Sequence, residues 1–458
     1  WLKLFSATFR SNVVRACACS SFFWRSPPQL AWSCVRAPIG QAAMTQEVAA
    51  PLLGVGSTEK WHGVEQRLGS LGAIQTLVVS MLGTGIVAFP FAFAVCGYIL
   101  APILLITVCF LACLSYYSLI RCTHRTRMAS YGGLVEELPV GWRIYTKISL
   151  WFLLVLVSTA YVVISVDILK SAVLASFGTE AQGSPLLQNR CIFAIVNLAI
   201  LPLCLLRSFS GLTGVSVYCT VALVAVVGLL VYESLLVAAN EPPAEVEAPQ
   251  PFLTDPKASL LSVPIFACAM FGHMNLSQVY AELRPELKPR APSIVVISCL
   301  LVTVVYLLVG YTGYMAFGQL CLTDVVSQLA GREGETTGVI IIQVLLCSVV
   351  IFKIPLVILP LRNLTVELLM PQDDPANLPN LKNFVLTFLL LFSVYAAAML
   401  LPDLGQVLDI LGALCVVPLT YIVPACLAWS LEAPRPTLRC LLLAATGIIA
   451  SSLSLLAK

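Results

Sequence analysis

The chain has 458 residues, of which 59% are hydrophobic and only 11% charged, whereas soluble domains carry roughly 25% charged residues. No charged residue lies between Arg67 and Arg121 or between Arg290 and Asp324. This composition excludes a soluble enzyme, a disordered scaffold and a nucleic-acid binder, and the net charge of +3 is too small to indicate a partner. We therefore predict an all-α polytopic membrane protein with the lipid bilayer as its solvent.

The region 1–68 precedes the first apolar run and is predicted to be a leader and a cytoplasmic tail, followed by a single transmembrane domain over 69–458. Residues 1–43 contain basic side chains and no acid, which is typical of a cleaved transit peptide. The alternative, which we favour, is that 1–43 is translated upstream sequence and that the protein starts at Met44.

Apolar runs separated by charges or turn residues predict eleven transmembrane helices. They lie at about 70–96, 99–120, 146–175, 191–206, 212–238, 260–281, 293–317, 337–361, 383–401, 406–429 and 438–456. The first two runs share one uncharged block that is divided at Gly97-Tyr98, which predicts a tight hairpin. With the N-terminus in the cytoplasm, thirteen Lys and Arg residues fall in inner loops and five on the outer side, so the positive-inside rule favours this orientation.

The first span contains Gly83, Thr84 and Gly85 at mid-membrane depth, with Pro90 shortly after them. Glycine weakens a helix and proline removes a backbone donor. Unwound backbone survives in a membrane only where it lines a cavity or is buried in protein, and its free amides can then hold a carboxylate. Close helix packing through small residues is an equally good interpretation of this segment alone.

The sixth span is interrupted in a similar way, because Gly272, His273 and Asn275 place a break and polar groups near its middle. The first and sixth spans each open a set of five, and paired interruptions at corresponding positions favour a transporter with inverted repeats. His273 has two interpretations: a hydrogen-bond partner between helices, or a proton-coupling or pH-sensing site.

Lys353 lies inside the eighth span, where a lysine costs at least ~2.5 kcal/mol on insertion scales. Its side chain must therefore face a partner or a wet cavity, unless it reaches back to the membrane surface. Most of the seventeen cysteines lie singly within apolar runs, as buried small side chains do. Cys191 and Cys321 both lie near the outer surface, where either a disulfide or two free thiols is compatible with the sequence.

Five motifs in the same order resemble the amino acid/auxin permease family, specifically its sodium-coupled neutral amino acid transporter branch (systems A and N). They are GTGIxxxP from Gly83, VPI…FxxH…YxEL[RK] from Val263, GYxxFG from Gly313, PxxIxPxR from Pro355 and the Gly412-Ala413 span followed by Pro424. The resemblance covers most of 68–430. It implies a LeuT-like inverted five-plus-five repeat with broken helices 1 and 6, and transport of small neutral amino acids by alternating access.

The resemblance also implies site residues. The substrate carboxylate is expected at the amides of Gly83, Thr84 and Gly85. The substrate's amine and side chain are expected to face Ala269, Phe271 and Gly272. His273 falls on the family's histidine in the sixth span. The inner end of that span, at Tyr280 and Glu282, is expected to have a structural or gating role. From the third span, we expect Ser158 and Tyr161 to contribute to the pocket.

Two departures from the family pattern concern the coupling ion. Sodium-coupled members have an Asn where this chain has Val79 and a hydroxyl residue where it has Lys353. A sodium ion needs several oxygen ligands, which Val79 cannot offer, and the Lys353 ammonium is expected to occupy the vacated ion site. We therefore hypothesise that transport is proton-coupled or sodium-independent, with Lys353, His273 and Ser80 as the ion-coupling residues. H⁺ or Na⁺ is the coupling ion, and no other cofactor and no bound metal are expected.

Four alternatives remain: a sodium-coupled symporter, an amino-acid sensor of the same fold, a channel and an intramembrane enzyme. The short tail after Met44 disfavours a sensor, and matched broken helices fit a carrier better than a channel. An enzyme is disfavoured because, of the three histidines, only His273 lies within a span. We expect an integral protein of the plasma membrane or of the vacuolar or lysosomal membrane. The sequence does not indicate the amino acid or the oligomeric state.

Overall fold

The computed structural model describes most of the chain after the predicted tail. The described residues are 68–177, 189–205, 213–240, 248–252, 262–331, 337–370, 372, 378–401, 407, 410–432 and 437–456. The predicted leader and tail lie outside them, except Leu68.

Helices occupy every predicted span. They are α1 Ser70–Met81, α2 Phe89–Cys96, α3 Leu100–Thr126, α4 Tyr131–Val135, α5 Val140–Phe177, α6 Asn189–Cys204, α7 Thr213–Asn240, α8 Ser262–Ala269, α9 His273–Glu282, α10 Ala291–Phe317, α11 Val325–Ala330, α12 Thr337–Leu369, α13 Asn380–Leu400, α14 Val423–Leu431 and α15 Thr437–Leu456. Short 3₁₀ segments also occur. A π-helical segment over Leu411–Val416 and Pro418–Ile422 leads into α14. The predicted all-α class is confirmed for the described residues.

Seven of the described helices are long and apolar enough to cross a bilayer. The pair 70–81 and 85–96 is bent by 57° at its break and would be an eighth span. Helices α6 and α15 are shorter, and α8 and α9 are the two halves of the sixth predicted span. The number of eleven crossings therefore stays a prediction, as does the cytoplasmic position of the N-terminus.

The broken helices lie among long unbroken ones. Helix α12 packs against α5 and α7, and α10 packs against α7, α3 and both halves of the first span. Helix α9 packs against α3 and α1, while α8 packs against α2 and the π-helical segment before α14. This arrangement places the two breaks in the interior of the bundle, with the long helices α5, α10 and α12 as their supports.

The hairpin between the first two spans turns at Gly97, as predicted. Gly97 has φ +88°, a backbone conformation that side chains disfavour, and it follows the last residue of α2. A Cβ at this position would lie only 2.7 Å from the carbonyl oxygen of Pro251. The backbone amides of Tyr98 and Ile99 bond to the carbonyls of Gln250 and Pro251. The described part of the loop between α7 and α8 is therefore fastened to this turn.

We expect the variant Gly97→Ala to destabilise the protein by about 1–3 kcal/mol, because alanine adds backbone strain and a steric overlap at this site. The measurement is the thermal unfolding midpoint of the purified protein in detergent. Gly228→Ala on α7 is the matched control, since a Cβ there meets no atom within 4 Å in the described part of the chain. Equal midpoints for the two variants would contradict the interpretation of Gly97.

The disulfide considered between Cys191 and Cys321 is not present, because both residues are free thiols. The Cys321 thiol instead lies 3.6 Å from the carbonyl oxygen of Gly313 and is buried. This side chain packs as a small apolar residue with a weak S–H donor.

Candidate substrate and ion site

The first span is interrupted where its glycines predicted. Helix α1 ends at Met81, Gly83 is extended (φ −108°, ψ −161°), and a 3₁₀ helix begins at Thr84. The first amides of a helix have no partner within it and form its positive end. The break therefore leaves the amides of Thr84 and Gly85 at the positive end of this helix.

The two glycines of this break border open space. A Cβ built at Gly83 or at Gly85 would meet no atom of the described residues within 4 Å. At Gly272, in contrast, a Cβ would lie 2.9 Å from the Tyr116 hydroxyl and 3.2 Å from Met81. Glycine is thus needed for close packing in the sixth span, whereas the glycines of the first span border unfilled volume.

Lys353 points into the break of the first span. Its Nζ donates to the carbonyl oxygen of Leu82 at 2.8 Å and lies 3.5 Å from that of Val79. The side chain is only 7% exposed, so it does not reach back to the membrane surface. The carbonyls at the C-terminal end of α1 carry partial negative charge, and the ammonium group lies against them.

The sixth span unwinds over Met270, Phe271 and Gly272, directly after Ala269 ends α8. The break touches the first span, because Asn275 donates from Nδ2 to the Ser80 hydroxyl at 2.9 Å. Ser80 in turn donates to the carbonyl of its own helix at Thr76. Ser80 therefore joins the two broken helices in this structure, and any ion it binds would have to share that hydroxyl.

His273 is fully buried at the start of α9. Its ring stacks on that of Tyr116 with centroids 3.9 Å apart, and Phe271 lies 5.9 Å away. Neither ring nitrogen has a hydrogen-bond partner among the described residues. The helix-to-helix hydrogen bond considered for His273 is thus absent in the described part of the chain.

The two residues expected from the third span differ in their surroundings. Ser158 is fully buried on α5 and donates to the carbonyl of Leu154 in its own helix at 2.9 Å. Tyr161, one turn further along, is near Tyr306 and Cys219.

The far end of α9 is joined to the start of α1. Leu68 accepts from the amide of Arg284 at 3.1 Å and donates to the carbonyl of Glu282 at 3.0 Å. The Tyr280 hydroxyl lies 2.9 Å from Nδ1 of His124 on α3. Tyr280 and Glu282 thus lie away from the break, as the resemblance implied.

Comparison with known proteins agrees with this architecture. Residues 67–453 match the family described as "Transmembrane amino acid transporter protein". The chain belongs to this family. Its predicted membership is therefore confirmed over most of the chain.

Relatives of this transporter family come from plants, fungi and animals. The chain is 26% identical to "Amino acid transporter AVT6E" of Arabidopsis thaliana, with 80% of this chain and 77% of the relative covered. It is 23% identical to "Vacuolar amino acid transporter 5" of Schizosaccharomyces pombe, covering 79% and 84%. It is 26% identical to "Solute carrier family 38 member 8" of Mus musculus, covering 75% and 81%.

The fold also resembles a solved structure, "Crystal structure of MhsT in complex with L-phenylalanine". The TM-score is 0.56 at 16% identity, and the match covers 86% of this chain and all of that one. At this identity the likeness concerns the fold alone, and it confirms the predicted LeuT-like architecture.

The hydrogen bonds that Tyr116 and Tyr306 donate to the two breaks were not predicted from the sequence. Tyr116 donates to the carbonyl of Met270 at 3.0 Å, and Tyr306 donates to that of Met81 at 3.0 Å. A signal was present, since a tyrosine hydroxyl within an apolar span needs an acceptor. The acceptors lie 154 and 225 positions away, however, and the sequence alone does not pair them.

Proposed function

We propose that the protein is a secondary active transporter of small neutral amino acids that works by alternating access. The observation that carries this proposal is the meeting of two broken helices, with Gly272 against Met81 and open space beside Gly83 and Gly85. Unwound backbone within a membrane is stable only where its polar groups find partners, and the charged groups of a bound amino acid are such partners. Family membership supports the same substrate class.

In this proposal the substrate's carboxylate binds at the positive end of the 3₁₀ helix, at the amides of Thr84 and Gly85. The substrate's amine and side chain face the unwound segment of the sixth span, at Ala269, Phe271 and Gly272. Tyr161 closes the pocket from α5. Each half-helix on either side of a break can tilt separately, which would open the site to one side of the membrane at a time.

We further propose that transport is proton-coupled or sodium-independent. A sodium ion would bind the carbonyls at the end of α1, and the Lys353 ammonium already lies 2.8 Å from one of them, that of Leu82. The adjacent side chain, Val79, offers no oxygen. His273 is the second titratable side chain beside the breaks, and it is fully buried. The protein is an integral membrane protein of the plasma membrane or of the vacuolar or lysosomal membrane in this proposal, and the vacuolar name of one relative supports the second location.

Exchange transport tests the carrier proposal separately from the question of the ion. We expect proteoliposomes containing the purified protein to take up labelled glutamine or alanine in a saturable manner. Uptake should accelerate when unlabelled amino acid is loaded inside, because a carrier returns faster when it is occupied. Protein-free liposomes and the Gly228→Ala variant are the controls. Saturable binding without any flux would instead favour the amino-acid sensor, and flux without acceleration would favour a channel.

A further inference from the structure

Each broken span is fastened at its break by a tyrosine from the opposite half of the chain. Tyr306 on α10 donates to the carbonyl of Met81 in the first span, and Tyr116 on α3 donates to that of Met270 in the sixth, both at 3.0 Å. All four residues are almost fully buried. In hydrocarbon an unpaired carbonyl costs several kcal/mol, so these hydroxyls satisfy groups that the breaks leave open.

The Tyr116 hydroxyl is also packed closely against the break of the sixth span, because a Cβ built at Gly272 would lie only 2.9 Å from it.

The sequence positions show that the contacts are related by the internal repeat. The tyrosines are 190 positions apart (116 and 306), and the methionines whose carbonyls they bind are 189 apart (81 and 270). Helices α3 and α10 each follow the broken span of their own half of the chain. The second helix of each half thus holds the broken helix of the other half, in the same register.

We propose that Tyr116 and Tyr306 are matched positioning residues, each of which holds one half-helix in place and so sets the balance between the two open forms of the carrier. This inference rests on the proposed function. Tyr306 holds the end of α1, which is the inner half of the first span in the predicted orientation. Tyr116 holds the end of α8, the outer half of the sixth span. Loss of the Tyr306 hydroxyl releases an inner half-helix and favours the inward-open form. Loss of the Tyr116 hydroxyl releases an outer half-helix and favours the outward-open form.

Phenylalanine variants remove the hydroxyls and retain the rings. The Tyr306 ring stacks on Phe89 with centroids 4.0 Å apart, and the Tyr116 ring stacks on His273. Neither stack needs the oxygen, so the substitutions leave the packing in place. Tyr311→Phe is the control on α10, since its hydroxyl makes no hydrogen bond among the described residues and its ring packs on Phe93.

Hydrogen–deuterium exchange of the full chain in lipid nanodiscs tests the proposal without requiring transport. In Tyr306→Phe we expect the amides of 78–82 to exchange about three- to tenfold faster while those of 265–270 do not change. In Tyr116→Phe we expect the reverse. Equal acceleration in both segments, in neither, or in Tyr311→Phe as well would overturn the proposal.

Transport kinetics of the same variants give the second readout. We expect the concentration for half-maximal uptake from the outer side to rise about three- to tenfold in Tyr306→Phe and to fall or stay constant in Tyr116→Phe, because the outward-open population changes in opposite directions. A purely structural role would reduce the maximal rate of both variants without this split. A third outcome separates the two proposals: the hydrogen exchange changes as expected in each variant, but wild type transports no amino acid. That result would support the positioning role of the tyrosines and contradict the proposed transport function.

Discussion

Replacement of Lys353 by threonine is expected to reduce the rate of proton-driven amino acid uptake strongly. The ammonium group donates to the Leu82 carbonyl and lies against that of Val79, so threonine leaves these carbonyls without a cation. Hydrogen bonds to charged groups contribute about 1.5–3 kcal/mol, which corresponds to a roughly ten- to hundredfold loss of rate. The measurement is the initial rate of labelled alanine uptake by proteoliposomes under a proton gradient.

The double variant Val79→Asn/Lys353→Thr tests whether Lys353 takes the place of a sodium ion. It supplies an amide oxygen and a hydroxyl at the two positions where the sodium-coupled pattern has them, next to the free carbonyls. We expect it to acquire sodium-dependent uptake that wild type lacks. Lys382→Thr, on an exposed lysine at the start of α13, is the matched control and should keep wild-type uptake. Unchanged proton-driven uptake in Lys353→Thr would refute the substituted-cation hypothesis.

Alanine at Gly85 is expected to raise the KM for amino acids about tenfold while leaving the thermal stability unchanged or slightly higher. The added methyl enters the space beside the amides that are proposed to bind the carboxylate, and among the described residues it meets no atom within 4 Å. Glycine within a helix is less favourable than alanine by about 1 kcal/mol, so the fold itself does not suffer. The measurements are the concentration dependence of uptake and the unfolding midpoint.

Gly272→Ala is the contrasting control, because its Cβ would overlap the Tyr116 hydroxyl and press on Met81. We expect this variant to lose stability as well as uptake. If Gly85→Ala were destabilised to the same extent with its KM unchanged, the volume beside Gly85 would not be the substrate site.

Local patterns in the sequence predicted the features that depend on local chemistry. Glycines and a proline disfavour helix, so the break at Gly83 and the turn at Gly97 followed from residue type. A lysine within an apolar span must find acceptors, so the inward direction of Lys353 followed from its cost. The acceptors themselves, the backbone carbonyls of Val79 and Leu82, were not predicted from the sequence. The family resemblance indicated only that Lys353 would occupy the vacated ion site.

Features that depend on distant pairing were not predictable. The hydrogen bond between Asn275 and Ser80 joins residues 195 positions apart. The π-helical segment before α14 was not predicted from the sequence either. Its freed carbonyls accept hydrogen bonds from distant parts of the chain. Tyr131 donates to the Leu419 carbonyl at 2.8 Å, and Ser115 donates to that of Thr420. Only the tertiary structure shows that these donors are in reach.

The most direct test of the account is uptake of labelled glutamine and alanine by proteoliposomes in which a proton gradient and a sodium gradient are imposed separately. We predict saturable accumulation driven by the proton gradient and indifferent to sodium, because the Lys353 ammonium, 2.8 Å from the Leu82 carbonyl, is proposed to take the place of a sodium ion. Accumulation driven by the sodium gradient alone would contradict it.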